Sequence, residues 1–239
     1  MDGDLTVARL GTVLGIWAHP DDEAYLSGAL MAEARYGGQR VVVATATAGE
    51  LGGAGPIAQV RRRELARSLA AVGVTEHSWL GFGDGGCADV DPGLGARLVR
   101  TLLEQVRPDT VVTFGPDGLT GHTDHMAVAG WVERAWRADG CRSLLLQTTL
   151  TEGFHRRWGR LCERNGVWMP GGVPPAVPES AVDLRVRASG RTAHRKAAAL
   201  RAHASQTDGL RRAVGEETYA EWWAEETFVR VPVAAEEAA

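Results

Sequence analysis

Short apolar runs alternate with segments of helical character through the first 150 residues, and this alternation limits the fold more than any other feature of the sequence. The runs that predict strands cover residues 13–17, 40–47, 76–80, 110–114 and 144–149. Between them, helices are predicted at residues 23–36, 57–72, 92–106 and 123–138. The first run is continuously apolar rather than alternating, which is typical of a strand buried on both faces. The order of elements therefore predicts an α/β fold, in which helices cover both faces of a mostly parallel sheet.

The last third of the chain is less regular. We predict helices at residues 152–165, 192–204 and 216–225, an edge strand at 182–186 and a terminal strand at 227–233. Residues 166–178 contain four prolines and three glycines, which predicts a loop near the site or a plain linker. No segment has the composition of a linker between two cores. We therefore expect one domain over residues 1–239, with flexible ends at 1–9 and 234–239.

Charge and composition argue against several classes of partner. The net charge of −4 gives no electrostatic reason to expect nucleic acid or an anionic membrane. No run approaches the roughly 18 apolar residues of a membrane helix, and the acidic N-terminus lacks the form of a signal peptide. The three cysteines are far apart and odd in number, which does not fit a disulfide framework. We expect a cytoplasmic protein with a small-molecule partner, and a homo-oligomer is compatible with the sequence.

Two polar motifs follow predicted strands and begin predicted helices. Ala18–Glu23, with the sequence AHPDDE, follows the first strand, and Gly121–His125, with the sequence GHTDH, follows the fourth. Strand-to-helix junctions on one edge of a parallel sheet are where α/β proteins place binding and catalytic groups. Two such junctions can face each other across a crevice, so we expect the motifs to form one site.

The residue types in these motifs fit a metal-assisted hydrolase. A catalytic zinc site takes three protein ligands and leaves one position for water, and two histidines with one carboxylate satisfy this requirement. The spare carboxylates and histidine can accept the proton of an activated water and stabilise an oxyanion. The residues alone do not distinguish the role of Asp21 from that of Asp22. The alternative is a turn whose aspartates cap a helix, which either motif alone would fit equally well.

The two motifs resemble those of the PIG-L/LmbE-like family of zinc-dependent N-deacetylases. The family's first signature, Ala-His-Pro-Asp-Asp-Glu, is matched in full, and its second, Gly-His-x-Asp-His, is matched at residues 121–125. Weaker family-like features extend the resemblance from about residue 10 to about residue 206. The resemblance implies a Rossmann-like three-layer fold with a mostly parallel sheet in a single domain.

The resemblance also implies a role for each polar residue of the motifs. It implies zinc ligands at His19, Asp22 and His125, although iron(II) fits the same donors. Asp21 would be the general base that activates water. His122 would stabilise the tetrahedral oxyanion and act as a general acid, and Asp124 would orient a histidine.

For substrate binding, the resemblance implies fewer residues than for the metal and the catalytic groups. Family members that act on N-acetylglucosamine derivatives hold hydroxyl groups with an arginine and an aspartate, which correspond to Arg61 and Asp84, and Glu50 is a similar candidate. A helix-surface arginine and a turn aspartate are equally compatible with these positions. In the mycothiol-biosynthesis branch a tyrosine precedes the second signature, whereas this chain has Thr120 there and is shorter. These differences weaken an assignment to that branch.

The sequence thus predicts a zinc hydrolase that removes an N-acyl group, most simply acetyl, from an amino sugar or a related small metabolite. An amidase for thiol conjugates and a deacylase that tailors an antibiotic are alternatives with the same chemistry. A non-catalytic sugar-binding protein would have no need of a base beside an open metal position. An NAD-dependent oxidoreductase would need Gly-x-Gly-x-x-Gly after the first strand, which the sequence lacks. We interpret His203 as structural and Trp222-Trp223 as core or interface residues.

Overall fold

The computed structural model describes residues 5–170 and 173–233, and a seven-stranded sheet runs through it. The strands are β1 (Val13–Trp17), β2 (Val41–Thr45), β3 (Glu76–Trp79), β4 (Thr110–Phe114), β5 (Leu144–Thr148), β6 (Leu184–Arg187) and β7 (Glu225–Arg230). The helices are α1 (Asp22–Tyr36), α2 (Ile57–Val72), α3 (Pro92–Val106), α4 (Gly118–Gly121), α5 (Thr123–Ala138), α6 (Glu152–Arg164), α7 (Gly190–Ala202), α8 (Ala204–Val214) and α9 (Glu216–Trp222). The predicted α/β fold with a mostly parallel sheet is confirmed.

The strand order, β3-β2-β1-β4-β5-β7-β6, places β1 beside β4. Strands β1 to β5 pair in parallel, whereas β7 runs antiparallel to both β5 and β6. From β1 the chain moves to β2 on one side, and it later returns to β4 on the other side. Such a reversal is a topological switch point, where open α/β sheets form a crevice at the carboxyl ends of their strands. Because the two polar motifs follow β1 and β4, they lie at this crevice.

Most of the predicted elements are present with small shifts at their ends, and β1 and β4 have the predicted bounds. The predicted helix at 192–204 is instead α7, which ends at Ala202. The sequence interpretation missed α8, because its serine, threonine, aspartate and glycine are weak helix formers. Of the predicted flexible ends, residues 1–4 and 234–239 lie outside the described residues, whereas Val7 is buried. No helix among the described residues is both long and apolar enough to cross a bilayer.

Aromatic side chains fill the layers between the sheet and its helices. Trp17 of β1 and Phe114 of β4 meet edge to face, with ring centroids 5.1 Å apart. Trp131 of α5 packs over Gly95 of α3, where a Cβ would lie 2.3 Å from the indole ring. Only glycine permits that approach, so α3 and α5 pack closely. This packing holds α5, whose first turn carries the second motif, next to β4.

A buried ion pair joins the C-terminal elements to α1. The side chains of Lys196 in α7 and Glu226 in β7 are 3% and 0% exposed, and Nζ lies 2.6 Å from Oε1. The same Nζ donates to the carbonyl of Tyr25 at 2.8 Å. The Glu226 carboxylate accepts from the backbone amides of Ala29 and Leu30. Both charges therefore have further polar partners, as a buried pair requires, and the pair fixes α1 against the C-terminal third of the chain.

We expect Lys196→Met to lower the free energy of unfolding by about 3–5 kcal/mol, because it leaves the buried Glu226 carboxylate without its cation. Urea unfolding followed by circular dichroism measures this loss. Arg100→Ala is the control, since both members of its pair with Glu104 are more than half exposed. For that variant we expect a change within about 1 kcal/mol. Equal losses in the two variants would show that the buried pair contributes no more than an exposed one.

Candidate metal centre and active site

Two loops meet where β1 and β4 end. The first connects β1 to α1 and carries His19, and the second leads from β4 through α4 to α5, whose first turn carries His125. Although these histidines are 106 residues apart in the sequence, His19 Nδ1 lies 3.1 Å from His125 Nε2. The structure therefore brings the two motifs together at the switch point of the sheet.

Asp22 completes a close group with these two histidines. Its Oδ1 lies 3.4 Å from His125 Nε2, and its Oδ2 lies 3.7 Å from His19 Nδ1. All three residues are 7% exposed. Zinc ligands stand about 2 Å from the ion, so donors at these separations suit one shared cation. The chain thus contains a buried His/Asp/His group of metal-binding type.

Hydrogen bonds on the far side of each imidazole ring set its tautomer. His125 Nδ1 lies 2.9 Å from the carbonyl oxygen of Gly118, which can only accept, so this nitrogen carries the hydrogen. His19 Nε2 lies 3.0 Å from Asp84 Oδ1 and 3.1 Å from Asp124 Oδ2, and it donates to these carboxylates. In both rings the other nitrogen therefore lies near Asp22, where it can bind a metal when it carries no hydrogen. Carboxylate and carbonyl partners of this kind orient the histidines that bind metals.

The carboxylates around His19 favour a positive charge in this pocket. Burial opposes the charged form, but hydrogen bonds to Asp124 and Asp84 and the charge of Asp22 outweigh it and raise the pKa of His19 to about 10. Burial also opposes ionisation of Asp84, but the hydrogen bonds from His19 and from the Leu51 amide lower the pKa of Asp84 to about 2. In the protein without metal, a proton on His19 therefore balances the carboxylates.

Asp21 lies beside this group in an unusual backbone conformation. Its φ of 118° belongs to the region that favours glycine, and strain of this kind is often stored at functional sites. Its backbone amide donates to Glu23 Oε2 at 2.9 Å. Burial, opposed by the charge of Arg61 and reinforced by that of Asp22, raises the pKa of Asp21 to about 7. A carboxyl group with that pKa can both accept and return a proton near neutral pH.

Arg61, a predicted substrate contact, supports the loop that carries Asp21. It is 4% exposed, and its Nη2 donates to the carbonyl of Pro20 at 2.6 Å and lies 3.4 Å from Asp21 Oδ2. Its Nη1 donates to the carbonyl of Gly49, where a Cβ would lie 2.2 Å from that nitrogen. Arg61 lines the pocket, and its two terminal nitrogens each donate one hydrogen bond within the protein, whereas its Nε has no partner among the described residues.

Asp84 lines the pocket, whereas Glu50, in a neighbouring loop, is not among the lining residues. Besides His19, the Asp84 carboxylate accepts from the amide of Leu51 at 2.9 Å. Glu50 is exposed, and its Oε2 accepts from the amide of Asp84 at 3.2 Å. The carboxylate of Asp84 therefore holds His19 in place, and a substrate contact for either residue stays a prediction.

His122 is the N-cap residue of α5, and Asp124 lies in the first turn of that helix. The ring of His122 is half-buried in the pocket, and its Nδ1 accepts from the amide of Asp124 at 3.1 Å. Nitrogen atoms of His19, His122 and His125 all fall within 4.8 Å of one another. Asp124 is fully buried and accepts from the amides of Gly85 and Cys87 as well as from His19. The predicted orienting role of Asp124 has its partner in His19.

The sequence interpretation missed a buried network behind Asp21. His203 Nε2 lies 2.7 Å from Glu23 Oε1, which also accepts from the hydroxyl of Ser68 at 2.6 Å. Since Glu23 Oε2 accepts from the amide of Asp21, this network reaches the candidate base from α2 and from the turn between α7 and α8. Glu23 is the last residue of the first motif, and its place in that motif was the signal that could have drawn attention to it.

The pocket in front of these residues has a volume of about 390 Å³. Its polar lining comes from the two motifs, with Arg61, Asp84 and Thr120. The remaining side chains are largely apolar, and one of them is Trp223. The interpretation of Trp223 as a core or interface residue is therefore incomplete, since this ring lines the pocket while Trp222 lies in the core. Val167 brings the predicted loop at 166–178 to the pocket as well, although residues 171–172 lie outside the described residues.

Comparison with known proteins gives consistent matches. The family model described as PIG-L, GlcNAc-PI de-N-acetylase, matches residues 14–136, just over half of the chain. A 1D-myo-inositol 2-acetamido-2-deoxy-alpha-D-glucopyranoside deacetylase from Kineococcus radiotolerans is 32% identical over 247 residues. That alignment covers 81% of this chain and 68% of the relative.

Solved structures share the fold. A conserved protein from Thermus thermophilus matches with a TM-score of 0.64 at 24% identity, covering 96% of this chain and 99% of that one. The N,N'-diacetylchitobiose deacetylase from Pyrococcus horikoshii matches with a TM-score of 0.61 at 17% identity, covering 96% of this chain and 88% of that one. The solved structures support the fold alone, whereas the family model and the relative at 32% identity support membership of the family. The chain therefore belongs to the PIG-L/LmbE-like family of N-deacetylases.

Proposed function

We propose that this family member is a zinc-dependent hydrolase that removes the N-acetyl group of a small amino sugar, with Asp21 as the general base. The family makes the reaction a hydrolytic N-deacetylation of a non-peptide substrate. The observation that carries the proposal is the position of Asp21, beside the buried His19, Asp22 and His125 group and in the same pocket. Cytoplasmic location is part of the proposal, supported by the free thiols of Cys87, Cys141 and Cys162.

The donor set fits zinc. His19, Asp22 and His125 would hold the ion, since their donor atoms face one another and the tautomers of both rings are set for it. Zinc in this position would act as a Lewis acid that acidifies water and polarises the amide carbonyl. Iron(II) accepts the same donors.

Asp21 is assigned the proton transfers. Its carboxylate accepts a proton as water attacks the carbonyl carbon, and its pKa of about 7 suits this role. When the tetrahedral intermediate breaks its C–N bond, the same proton passes to the leaving nitrogen, which gives a free amine and acetate. The strained backbone and the bond from the Asp21 amide to Glu23 hold the carboxylate in the pocket.

His122 is assigned the oxyanion. Because its Nδ1 accepts from the amide of Asp124, the hydrogen of the neutral ring lies on Nε2. That hydrogen can bond to the oxyanion of the tetrahedral intermediate. The same hydrogen bond disfavours the imidazolium form, in which Nδ1 would also carry a hydrogen. The geometry thus supports the predicted oxyanion role of His122 better than its predicted role as an acid.

The names of similar proteins support an N-acetylated amino sugar as substrate. The relative from Kineococcus radiotolerans acts on a glucosamine derivative of inositol, and a structural neighbour acts on N,N'-diacetylchitobiose. An acetamido sugar is the group common to both names. We therefore assign an acetamido sugar to the pocket of this chain.

Zinc analysis tests the metal centre. We expect about one zinc per chain, loss of deacetylation on chelation and recovery on adding zinc. His125→Ala should weaken zinc binding by more than the ~10–100-fold that loss of an outer partner causes. His194→Ala is the matched control, because His194 is exposed on α7. Full activity without metal, or equal zinc affinity in the two variants, would contradict the assignment.

Asp21→Asn tests the base. We expect kcat to fall by about 10²–10⁴-fold because the amide cannot accept the proton of water. Zinc content should remain that of the wild type, since Asp21 is not a proposed ligand. Asp139→Asn, at the far end of α5, is the control and should leave kcat unchanged. A rate for Asp21→Asn within a few-fold of wild type would remove this residue from the mechanism.

His203 tests the network behind the base. We expect His203→Ala to lower kcat by about tenfold or more, as is usual when an orienting partner is lost, with KM and zinc content unchanged. His203→Gln can still donate to Glu23 and should recover part of kcat. Measurements on folded protein, checked by circular dichroism, separate this effect from instability. Equal kcat in both variants and in wild type would show that the network only stabilises the fold.

A further inference from the structure

We infer that the substrate carries a hydrocarbon group beside its acetamido sugar, and that an apolar wall of the pocket binds it. This inference rests on the proposed function and specifies its substrate class. The wall consists of Tyr25, Leu26, Leu119, Val167, Leu210 and Trp223. These side chains line the same cavity as Asp21 and the metal-binding group.

The wall is assembled from distant parts of the chain. Tyr25 and Leu26 lie near the start of α1, directly after the first motif, and Leu119 lies in α4, just before the second. Leu210 comes from α8, and Trp223 follows α9. Core packing alone would not require these side chains to border an open cavity, because apolar groups gain stability by leaving water.

Part of the wall extends beyond the main pocket. The rings of Tyr25 and Trp223 meet edge to face, with centroids 4.7 Å apart. These two residues, with Leu26 and Leu119, also line a second small cavity of about 30 Å³. None of the metal-binding residues nor Asp21 borders that second cavity. Four of the six wall residues therefore extend from the pocket towards a cavity whose remaining lining is mostly threonine and glutamate.

Several polar groups of the pocket already have a partner within the protein. The terminal nitrogens of Arg61 are bonded to the carbonyls of Pro20 and Gly49. The side chain of Asp84 is 7% exposed and bonded to His19 and to the Leu51 amide. The hydroxyl of Tyr25 is bonded to that of Tyr219 at 2.6 Å. Hydroxyl groups pressed against the wall would lose water without gaining partners, which disfavours binding.

Two sources of hydrocarbon share this chemistry. The group can be part of the acyl chain on nitrogen, or it can be an aglycone on the anomeric carbon. In both cases the acetamido sugar occupies the polar end of the pocket and the hydrocarbon contacts the wall. The compounds in the test distinguish these two sources.

Binding to the zinc-loaded Asp21→Asn variant tests the inference without turnover. Calorimetry compares N-acetylglucosamine with its phenyl and hexyl glycosides, with N-hexanoylglucosamine and with N,N'-diacetylchitobiose. We expect at least one hydrocarbon-bearing compound to bind at least about tenfold more tightly than N-acetylglucosamine, because burying about two methylene groups already gives that factor. A gain for the glycosides identifies an aglycone, and a gain for the hexanoyl compound identifies an acyl chain.

Substitutions test whether the gain in affinity comes from the apolar wall. Leu210→Gln should remove most of it, whereas Leu94→Gln, at an exposed leucine of α3, should keep it. The inference is overturned if the hydrocarbon compounds bind no better than N-acetylglucosamine, if diacetylchitobiose binds best or if no compound binds. It is also overturned if the Leu210→Gln and Leu94→Gln variants both keep the gain in affinity. If Leu210→Gln does not fold, the comparison of compounds on the Asp21→Asn variant is sufficient to test the inference.

Turnover is measured separately. Wild-type zinc protein is incubated with the same compounds, and free amine is detected. A binding preference for hydrocarbon without amine release would refute the proposed deacetylation while leaving the wall's specificity in place. Amine release at equal kcat/KM from all compounds would support the deacetylation and overturn the hydrocarbon inference.

Discussion

The imidazole of His19 links the two parts of the candidate active site. One ring nitrogen faces Asp22 and His125, and the other faces Asp84 and Asp124. Three of these four neighbours are carboxylates in a buried pocket, where a negative charge without a counterion is strongly disfavoured. The pocket therefore requires a positive charge at its centre, which is a proton on His19 in the protein without metal and a cation in the proposed enzyme. The pairing of β1 with β4 is what brings these groups together.

Buried polar contacts extend outward from this centre to α1. Arg61 binds the loop before α1, and Glu23, in its first turn, binds His203 and Ser68. The ion pair between Lys196 and Glu226 holds the middle of the same helix. Each contact comes from an element outside the first motif, and each replaces water that a buried polar group has lost. The C-terminal third is thus part of the active site's support, although none of its residues is a proposed ligand or base.

The sequence was sufficient to predict the elements that depend on local pattern. The continuous apolar run at Val13–Trp17 and the motif after it predicted a buried strand and a polar site at its end. Contacts between distant segments were harder to predict from the sequence. Arg61 stays a predicted substrate contact, but its position on a helix does not reveal that its guanidinium turns back to the carbonyls of Pro20 and Gly49. His203 and Trp223 have no flanking motif, so only the folded chain shows what they contact.

The residues proposed for the chemistry form local sequence motifs, whereas the residues proposed for substrate specificity come from distant segments. The proposed catalytic groups lie at two strand ends, where they must keep fixed spacing along the chain, and such spacing forms a recognisable motif. The proposed wall requires only apolar side chains of suitable size, which many residues can supply from many positions. An apolar wall also discriminates modestly, since one methylene changes selectivity by only about 10–200-fold. A family that keeps its motifs and varies its wall can therefore change substrates by few substitutions while the reaction stays the same.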